Sequence, residues 1–558
     1  MSGQTAKNNR TKIPKGLKAG YLIVLAALIL LAVSRCSCLY PFNNWDDANS
    51  YLSMGKAWIR GSAVPYRDLF DQKGPYLYFL YGLASLISAT DFRGVYLGEV
   101  LLLTVDLWGM YRILRLYIRE KTALCLLPLP AALICSSVGF YWGGSAEELC
   151  LPFLITGLYI TLKHFHRPIS ETAAVGENDN RKRTGQSRSL QEAGAFSFRE
   201  IFIVGLLCGV VTDIKYTVIG FYFGFMVIVM LQGFAFRLRI QQRSFGQACA
   251  AFLKECGCFL VGMALPSVPW LIYFGLEGAL DDWFNVYIYN NIVIYSTFGG
   301  NDHGAGFGQR IRETVLLLYW VIRGSLQVFV PALAGMLGLF AEQLMRWRKQ
   351  KRGTLTEAFA VPVLFFFQFL GIYIGGVSLP YYCLPLTVFV LFAFALIGEG
   401  IDTFRGSGMY RRAAAGLLFL VSLAGAAGIL LTFSLNTEYI GCSREELFQF
   451  RFAEDIRDDI AAGRVQEHPT LINFGALDAG LYTAADIDPT CYWYQTQTLP
   501  IDKVEEDQKD NIRNREVDYV LGCGRYPEIT TQYYELIDTF EQHAMGKNEI
   551  YYLFRKLD

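Results

Sequence analysis

Charge is scarce in this chain. Of its 558 residues only 18% are charged, against about 25% in an ordinary soluble protein. Fifty basic residues balance fifty acidic ones, so no basic excess argues for nucleic acid. Histidine is rare, at five. The thirteen cysteines are scattered, mostly inside apolar runs such as those around Cys125, Cys135 and Cys208. They form neither a metal-ligand spacing nor a disulfide framework, and read as small apolar packing residues. Cys36 and Cys38 make a close pair that receives no role. Glycine-rich nucleotide-binding loops are also missing in any strand–helix context. Together these absences leave little room for a soluble nucleotide-dependent enzyme or a zinc protein.

What the chain has in quantity is apolar sequence, 53% of the total. Runs near the roughly 20 residues that span a bilayer recur as far as Asn436. The reading places about eleven transmembrane helices, near 18–40, 93–112, 122–141, 148–164, 200–214, 217–233, 255–274, 324–343, 358–376, 379–398 and 413–434. The first follows a basic segment with Lys7, Arg10, Lys12, Lys15 and Lys18. Such a start suits a signal peptide, but the run reaches about Tyr40 without a small-residue cleavage pattern, so an uncleaved first span is expected.

The distribution of Lys and Arg tests this threading. With the N-terminus (1–17) cytoplasmic, the inner connections carry Arg112, Arg115, Arg119 and Lys121, then Arg167, Arg181, Lys182 and Arg183, then Arg237, Arg239 and Arg243. Arg346, Arg348, Lys349, Lys351 and Arg352 follow, and then Arg405, Arg411 and Arg412. All fall on one side. The apolar run 74–89 would break that agreement if counted as a span. With Tyr76, Tyr78 and Tyr81 it reads instead as a helix in the outer interface, as does 48–60, with Tyr51, Met54 and Trp58 on one stripe.

The fold class expected is therefore mainly α: a membrane domain over 18–436, with a first outer loop at 41–92 and a second at 277–323. A small α/β domain outside the membrane follows at 437–558. There 445–462 reads as helix, and 470–474, 517–521 and 550–554 as strands. No catalytic motif is visible in it, so docking or covering of substrate is the expected role. The inner loop 165–198 reads as polar and flexible.

Candidate chemistry gathers on the outer face. The first loop contains Asn44-Trp-Asp-Asp-Ala-Asn-Ser-Tyr51 and then Gly61-Ser-Ala-Val-Pro-Tyr-Arg-Asp-Leu-Phe-Asp-Gln-Lys-Gly-Pro75. Asp46 or Asp47 can take a proton from an acceptor hydroxyl, while Asp47 can equally be an N-cap. Lys73 can pair with a lipid phosphate or snorkel from an amphipathic helix. Glu147 and Glu148, at the outer entry of the fourth span, need a reason for being there, which a polar cavity or a favourable helix N-terminus would supply. Asp213 and Lys215 lie at an outer turn, where they pair with each other or Lys215 meets a phosphate. In the second loop Tyr287, Tyr289, Asn290, Asn291 and His303 suit a sugar, and Arg310 and Arg312 suit phosphate oxygens.

These stretches resemble the GT-C superfamily of polytopic glycosyltransferases, most closely the bacterial relatives of protein O-mannosyltransferases and aminoarabinose transferases. The resemblance rests on Asp46-Asp47 with Tyr51 after the first span, the run from Gly61 to Pro75, and Glu147-Glu148. It extends to Thr212-Asp-Ile-Lys215 and Ser378-Leu-Pro-Tyr-Tyr-Cys-Leu-Pro385, and is weak after residue 436. It implies inverting transfer of a sugar from a polyprenyl-phosphate donor to an acceptor hydroxyl on a protein, lipid or surface polymer. Asp47 is the implied base, with Asp46 as the fallback, because the family often has Asp-Glu where this chain has Asp-Asp. Lys73 and Lys215, joined by Arg310 or Arg312, become the implied phosphate ligands. Some relatives use a divalent metal, but no His or Cys cluster here indicates one, so no metal ligand or cofactor is expected. A polysaccharide polymerase or ligase of the envelope is the alternative enzyme. A secondary transporter fits less well, because no internal repeat is visible.

Overall fold

The computed structural model describes residues 13–166, 194–294, 307–350, 357–403, 408–497, 501 and 503–557. Helices dominate up to Phe433. They are α1 (Lys15–Val33), α2 (Asp46–Arg60), α3 (Pro75–Ser85), α4 (Arg93–Tyr117), α5 (Glu120–Leu126), α6 (Pro128–Cys135), α7 (Ala146–Phe165), α8 (Phe198–Thr212), α9 (Gly220–Ala235), α10 (Phe245–Ala264) and α11 (Val268–Leu276). After a π-helical stretch at Phe284–Ile294 come α12 (Phe307–Gly324), α13 (Leu326–Gln350), α14 (Glu357–Tyr373), the 3-10 segment Pro380–Val390, α15 (Leu391–Thr403) and α16 (Gly408–Phe433).

The first helix shows why these elements need a membrane. Leu22, Leu25, Ala26, Ile29, Leu30 and Val33 form its buried stripe, yet Ile23, Val24 and Leu28 on the other side are exposed. A helix that is apolar all round and half uncovered has lipid as its partner. Among the described residues six helical segments are long and apolar enough to cross a bilayer: Lys15–Val33, Tyr216–Ile240, Phe245–Leu276, Leu326–Met345, Pro380–Thr403 and Ala413–Phe433. The chain is a multi-pass membrane protein. The expected count of about eleven spans exceeds these six. Helices do occupy the other five places, but α8 has 15 residues and α14 has 17. The run 122–141 divides at Leu127, ahead of Pro128, into two short helices. α4 and α7 carry buried Glu99, Asp106, Glu147 and Glu148.

The described parts of the stretch expected as the second outer loop are largely helical. They include the short helix Leu280–Trp283, the π-helical stretch and α12, whose Val315, Leu316, Tyr319 and Trp320 are exposed. His303 lies outside the described residues, as do Arg167, Arg181, Lys182 and Arg183.

Two short helices form the stretch expected as the first outer loop. α2 starts at Asp46, with Trp45 as its N-cap, and stops at Gly61, whose φ of 75° is the left-handed turn glycine tolerates. Asp47 is thus inside the first turn and is not the cap. α3 starts on Pro75, where a missing N–H costs nothing. The two helices cross at Gly55 and Gly82, where a Cβ on either residue would overlap the other helix's backbone.

Beyond α16 the chain forms a four-stranded sheet in the order β1-β2-β4-β3, from β1 (Leu471–Phe474), β2 (Tyr519–Cys523), β3 (Tyr534–Gln542) and β4 (Glu549–Lys556). β1 and β2 are parallel, and the other pairs antiparallel. Helix α17 (Phe448–Ala461) precedes it. β3 is the strand the sequence did not suggest. It lies at the sheet edge, and Glu535, Leu536 and Glu541 along it are exposed, as edge strands tolerate.

This C-terminal unit, the outer unit expected from the sequence, is fastened to α2 along its length. Ser50 Oγ donates to Gln495 Oε1 at 2.6 Å, and Ser53 Oγ to Asp478 Oδ2 at 2.5 Å. The buried Lys56 ammonium donates to Tyr482 O at 3.0 Å and to Asp486 at 3.2 Å. The β3–β4 turn reaches further in: Met545 O accepts from Arg35 at 2.7 Å and from Asn44 Nδ2 at 3.2 Å.

Candidate active site

The fold gives the two adjacent acids different surroundings. Tyr51, one helical turn after Asp47, donates its hydroxyl to Asp47 Oδ2 at 3.2 Å. Tyr381, from the 3-10 segment, donates to the same oxygen at 2.8 Å. Trp45 packs edge-on against Tyr381, ring centroids 4.9 Å apart, and so holds that phenol in place. Asp46 turns instead to the outer unit, where Lys547 Nζ lies 2.6 Å from its Oδ1. Burial pushes the Asp46 carboxyl up, and the Lys547 charge opposes that shift.

Two lysines approach Asp47 through the phenols that bind it. The Lys73 ammonium is 5.9 Å from the Tyr51 ring. Lys215 is buried, with its ammonium 3.9 Å from the Tyr382 ring and 5.2 Å from that of Tyr381. The backbone of Lys73 is held from both sides, since its N–H donates to Tyr78 Oη at 2.8 Å and its carbonyl accepts from Tyr66 at 2.7 Å. The next residue explains how the lysines share a site. Gly74 N donates to Ile214 O at 3.2 Å, and a Cβ on Gly74 would run into the Asp213 carbonyl. Only glycine lets the first loop close on the turn that carries Lys215. Gln72, Lys73, Lys215, Tyr287, Asn291 and Tyr382 line a cleft at this junction.

Lys215 forms its ion pair with Glu147, and not with Asp213. Asp213 accepts from Ser267 Oγ at 2.6 Å. Glu147 is buried, and its Oε2 has no hydrogen-bond partner among the described residues. Glu148, about 100° further round the helix, points elsewhere. It accepts from Gly144 N at 3.0 Å, an N–H shared at 2.8 Å with Glu99. Ser145 caps this helix by accepting from Glu148 N.

The remaining expected residues divide. The buried Asn291 amide donates to Gln72 O at 2.8 Å and Tyr287 O at 2.7 Å, tying the first loop to the π-helical stretch. Tyr289 is 49% exposed and does not line the cleft. Arg310 lies in α12, its side chain outside the described residues, and Arg312 in the same helix is exposed. Three groups were not foreseen: Tyr381, Asp71 and Lys547. The tyrosine and Asp71 stood within stretches already noted for other reasons; nothing in the sequence around Lys547 marks it. Among the described residues no group of three or more His, Cys, Asp or Glu is placed to hold a metal ion.

No family model matches the chain, and no curated protein matches it in sequence. Solved structures do match in fold. ArnT from Cupriavidus metallidurans bound to undecaprenyl phosphate superposes with a TM-score of 0.56 at 13% identity, over 96% of this chain and 97% of ArnT. This is an ArnT-like fold. The apo form of the same protein gives 0.51 at 14% identity, over 96% and 97% of the two chains. The oligosaccharyltransferase AglB from Archaeoglobus fulgidus, in complex with an inhibitory peptide and a dolichol-phosphate, aligns over 96% of this chain and 74% of its own at 14% identity. Its TM-score of 0.46 is too low to add to the case. The likeness to ArnT is thus one of fold, over nearly the whole of both chains.

Proposed function

We propose that this chain is a membrane glycosyltransferase that moves a sugar from a polyprenyl-phosphate donor to an acceptor hydroxyl on the outer face of the membrane. One observation carries the reading: a carboxylate held by two phenols, with two lysines behind those same phenols. The ArnT-like fold supports it, because the solved ArnT carries undecaprenyl phosphate.

In this reading the acceptor hydroxyl donates its proton to Asp47 as its oxygen bonds the sugar's anomeric carbon. The bond from that carbon to the phosphate oxygen breaks on the opposite face, its electron pair leaving with the phosphate, so the configuration inverts. Lys73 and Lys215 meet the departing charge. Lys215 already faces a carboxylate, Glu147, which keeps the ammonium paired until a phosphate arrives. Tyr51 and Tyr381 fix the aim of the base. Asp46, tied to Lys547, serves the joint with the outer unit. No step is assigned to a metal. The N-terminus faces the cytoplasm on the positive-inside pattern, the membrane domain ends near residue 436, and 437–558 is extracytoplasmic.

The test is purification in mild detergent followed by mass spectrometry of bound lipid and a transfer assay with that lipid. A polyprenyl-phosphate sugar is expected, and Asp47→Asn is expected to bind it without transferring. Absence of any polyprenyl lipid, together with full activity of the envelope pathways in a deletion strain, would overturn the reading.

A further inference from the structure

The transferred sugar has to lie between Asp47 and the lysines, since its anomeric carbon is bonded to phosphate on one side and attacked from the other. A ring in that place brings hydroxyl groups that need partners once they leave water. The seam between the first loop and the outer unit holds unused ones.

Asp71 is buried; its Oδ1 accepts from Gln72 N at 2.7 Å, the Tyr78 hydroxyl also acts on this carboxylate, and Oδ2 has no partner at close hydrogen-bond geometry among the described residues. Lys73 and Asp47, the proposed phosphate ligand and the proposed base, are its main charged neighbours. Tyr494 of the outer unit is fully buried; its hydroxyl interacts with the Ser50 side chain but has no partner at close hydrogen-bond geometry, and Asp71 is the charged group that acts on it most strongly. The backbone registers the two elements beside them. Phe70 N donates to Tyr492 O at 3.0 Å, and the Phe70 ring lies 4.4 Å from that of Trp493. Tyr494 is itself fixed, its carbonyl accepting from Asn473 N and from the Tyr482 hydroxyl, each at 2.9 Å.

The next residue on each strand of the seam has the same property. Gln495 Oε1 accepts from Ser50 Oγ and from Asp478 N, both at 2.6 Å, which leaves its Nε2 unpartnered. Gln72 lines the lysine cleft, and its Oε1 is likewise unpartnered. Native interiors pair nearly all such groups. Here a carboxylate oxygen, a phenol, an amide donor and an amide acceptor lack a close partner on Asp71-Gln72 and Tyr494-Gln495, two segments joined by the Phe70–Tyr492 backbone hydrogen bond.

We propose that Asp71 and Tyr494 are the hydroxyl-binding subsite for the transferred sugar, with Gln72 and Gln495 at its margins, so that the outer unit takes a direct part in choosing the sugar. This rests on the glycosyltransferase reading above. Asp71 accepts from one or two ring hydroxyls, and Tyr494 bridges a neighbouring one. Phosphate recognition stays with the lysines, so the subsite adds affinity only to a lipid that carries a sugar.

The full chain in lipid nanodiscs tests this with three probes: undecaprenyl phosphate, the same lipid carrying a pentose or a hexose, and a panel of methyl glycosides. Wild type is expected to bind at least one glycosylated lipid more tightly than the bare one. Tyr494→Phe should cut that advantage about three- to tenfold, the worth of one hydrogen bond, with bare-lipid affinity and Tm unchanged; Asp71→Asn should cut it as well, while the loss of a negative charge near Lys73 leaves bare-lipid affinity equal or higher. Folded variants that keep the whole advantage would overturn the proposal and assign the seam to ordered water. If no polyprenyl phosphate binds, the glycosyltransferase reading fails, and methyl glycosides followed by saturation-transfer NMR still decide the subsite: a glycoside signal that vanishes in Tyr494→Phe supports it, and an unchanged signal refutes it. A glycoside signal that persists under saturating glycosylated lipid would place an acceptor there and overturn the assignment to the transferred sugar.

Discussion

Lys547 and Asp46 form an ion pair at 2.6 Å between residues 501 positions apart. It is the feature that separates the two adjacent acids, because it occupies Asp46 and leaves Asp47 with Tyr51 and Tyr381. The two acids are therefore expected to fail differently. Asp47→Asn should lower transfer about 10²- to 10⁴-fold, the range for loss of a positioned base, with Tm unchanged. Asp46→Asn should keep most of the transfer rate but lose about 1–2 kcal/mol of stability through its unpaired partner. A transfer assay beside a thermal melt separates them, and equal loss of rate in both would count against the assignment of Asp47.

Gly74 makes a second, sharper claim. Its N–H bonds Ile214 O, and a Cβ in its place would run into the Asp213 carbonyl. Gly74→Ala should push the first loop off that turn and part Lys73 from Lys215. The expected result is at least a tenfold weaker affinity for undecaprenyl phosphate, since phosphate held by two cations loses one. Isothermal titration in nanodiscs reads it directly. An unchanged affinity would mean that the two lysines do not act on one ligand.

Lys215 and Glu147 allow the phosphate role to be separated from stability. Lys215→Met strands a buried carboxylate and should cost about 3–5 kcal/mol. Adding Glu147→Gln removes that stranded charge, so the double variant should recover most of the Tm. It should not recover phosphate binding, because the cation is still missing. Recovery of both would make the pair purely structural.

Much of this was legible before the fold was known, and the limits have physical causes. Apolar runs announce lipid-facing helices such as α1, because both faces of such a helix must be apolar. They do not announce where α5 gives way to α6, or that α4 buries Glu99 and Asp106, since those depend on what packs alongside. Asp47 and Lys73 stood out by residue type and loop position. Tyr381 reaches Asp47 across 334 residues of sequence, and no local pattern encodes that. Asp213 and Lys215 are near neighbours in sequence, but the turn aims them apart, and Lys215 finds Glu147 instead. Tyr289 suited a sugar by chemistry alone, yet the helical path that turns Asn291 inward leaves Tyr289 exposed.

The joint between the outer unit and α2 should respond to pH through Asp478. This residue is fully buried, accepts from Ser53 Oγ at 2.5 Å and from Gly480 N at 2.8 Å, and burial raises its carboxyl to about 6. A carboxyl whose folded value lies above its unfolded one binds its proton more tightly when folded. Its contribution to stability is then fully present below about pH 4, declines between about 4 and 6, and is gone at neutral pH. At a shift of roughly two units the swing is about 2–3 kcal/mol. Wild type should therefore gain Tm, relative to Asp478→Asn, as pH falls from 7 to 4.5. The asparagine can keep both contacts, accepting from Gly480 N and donating to Ser53 Oγ, so its own profile should lack this component. Melts of the two proteins across that range, with limited proteolysis after residue 436 as a local probe, check the claim. Parallel profiles would show that Asp478 stays ionised in the joint, and that Lys56, whose own charge burial disfavours, offsets the cost of burying it.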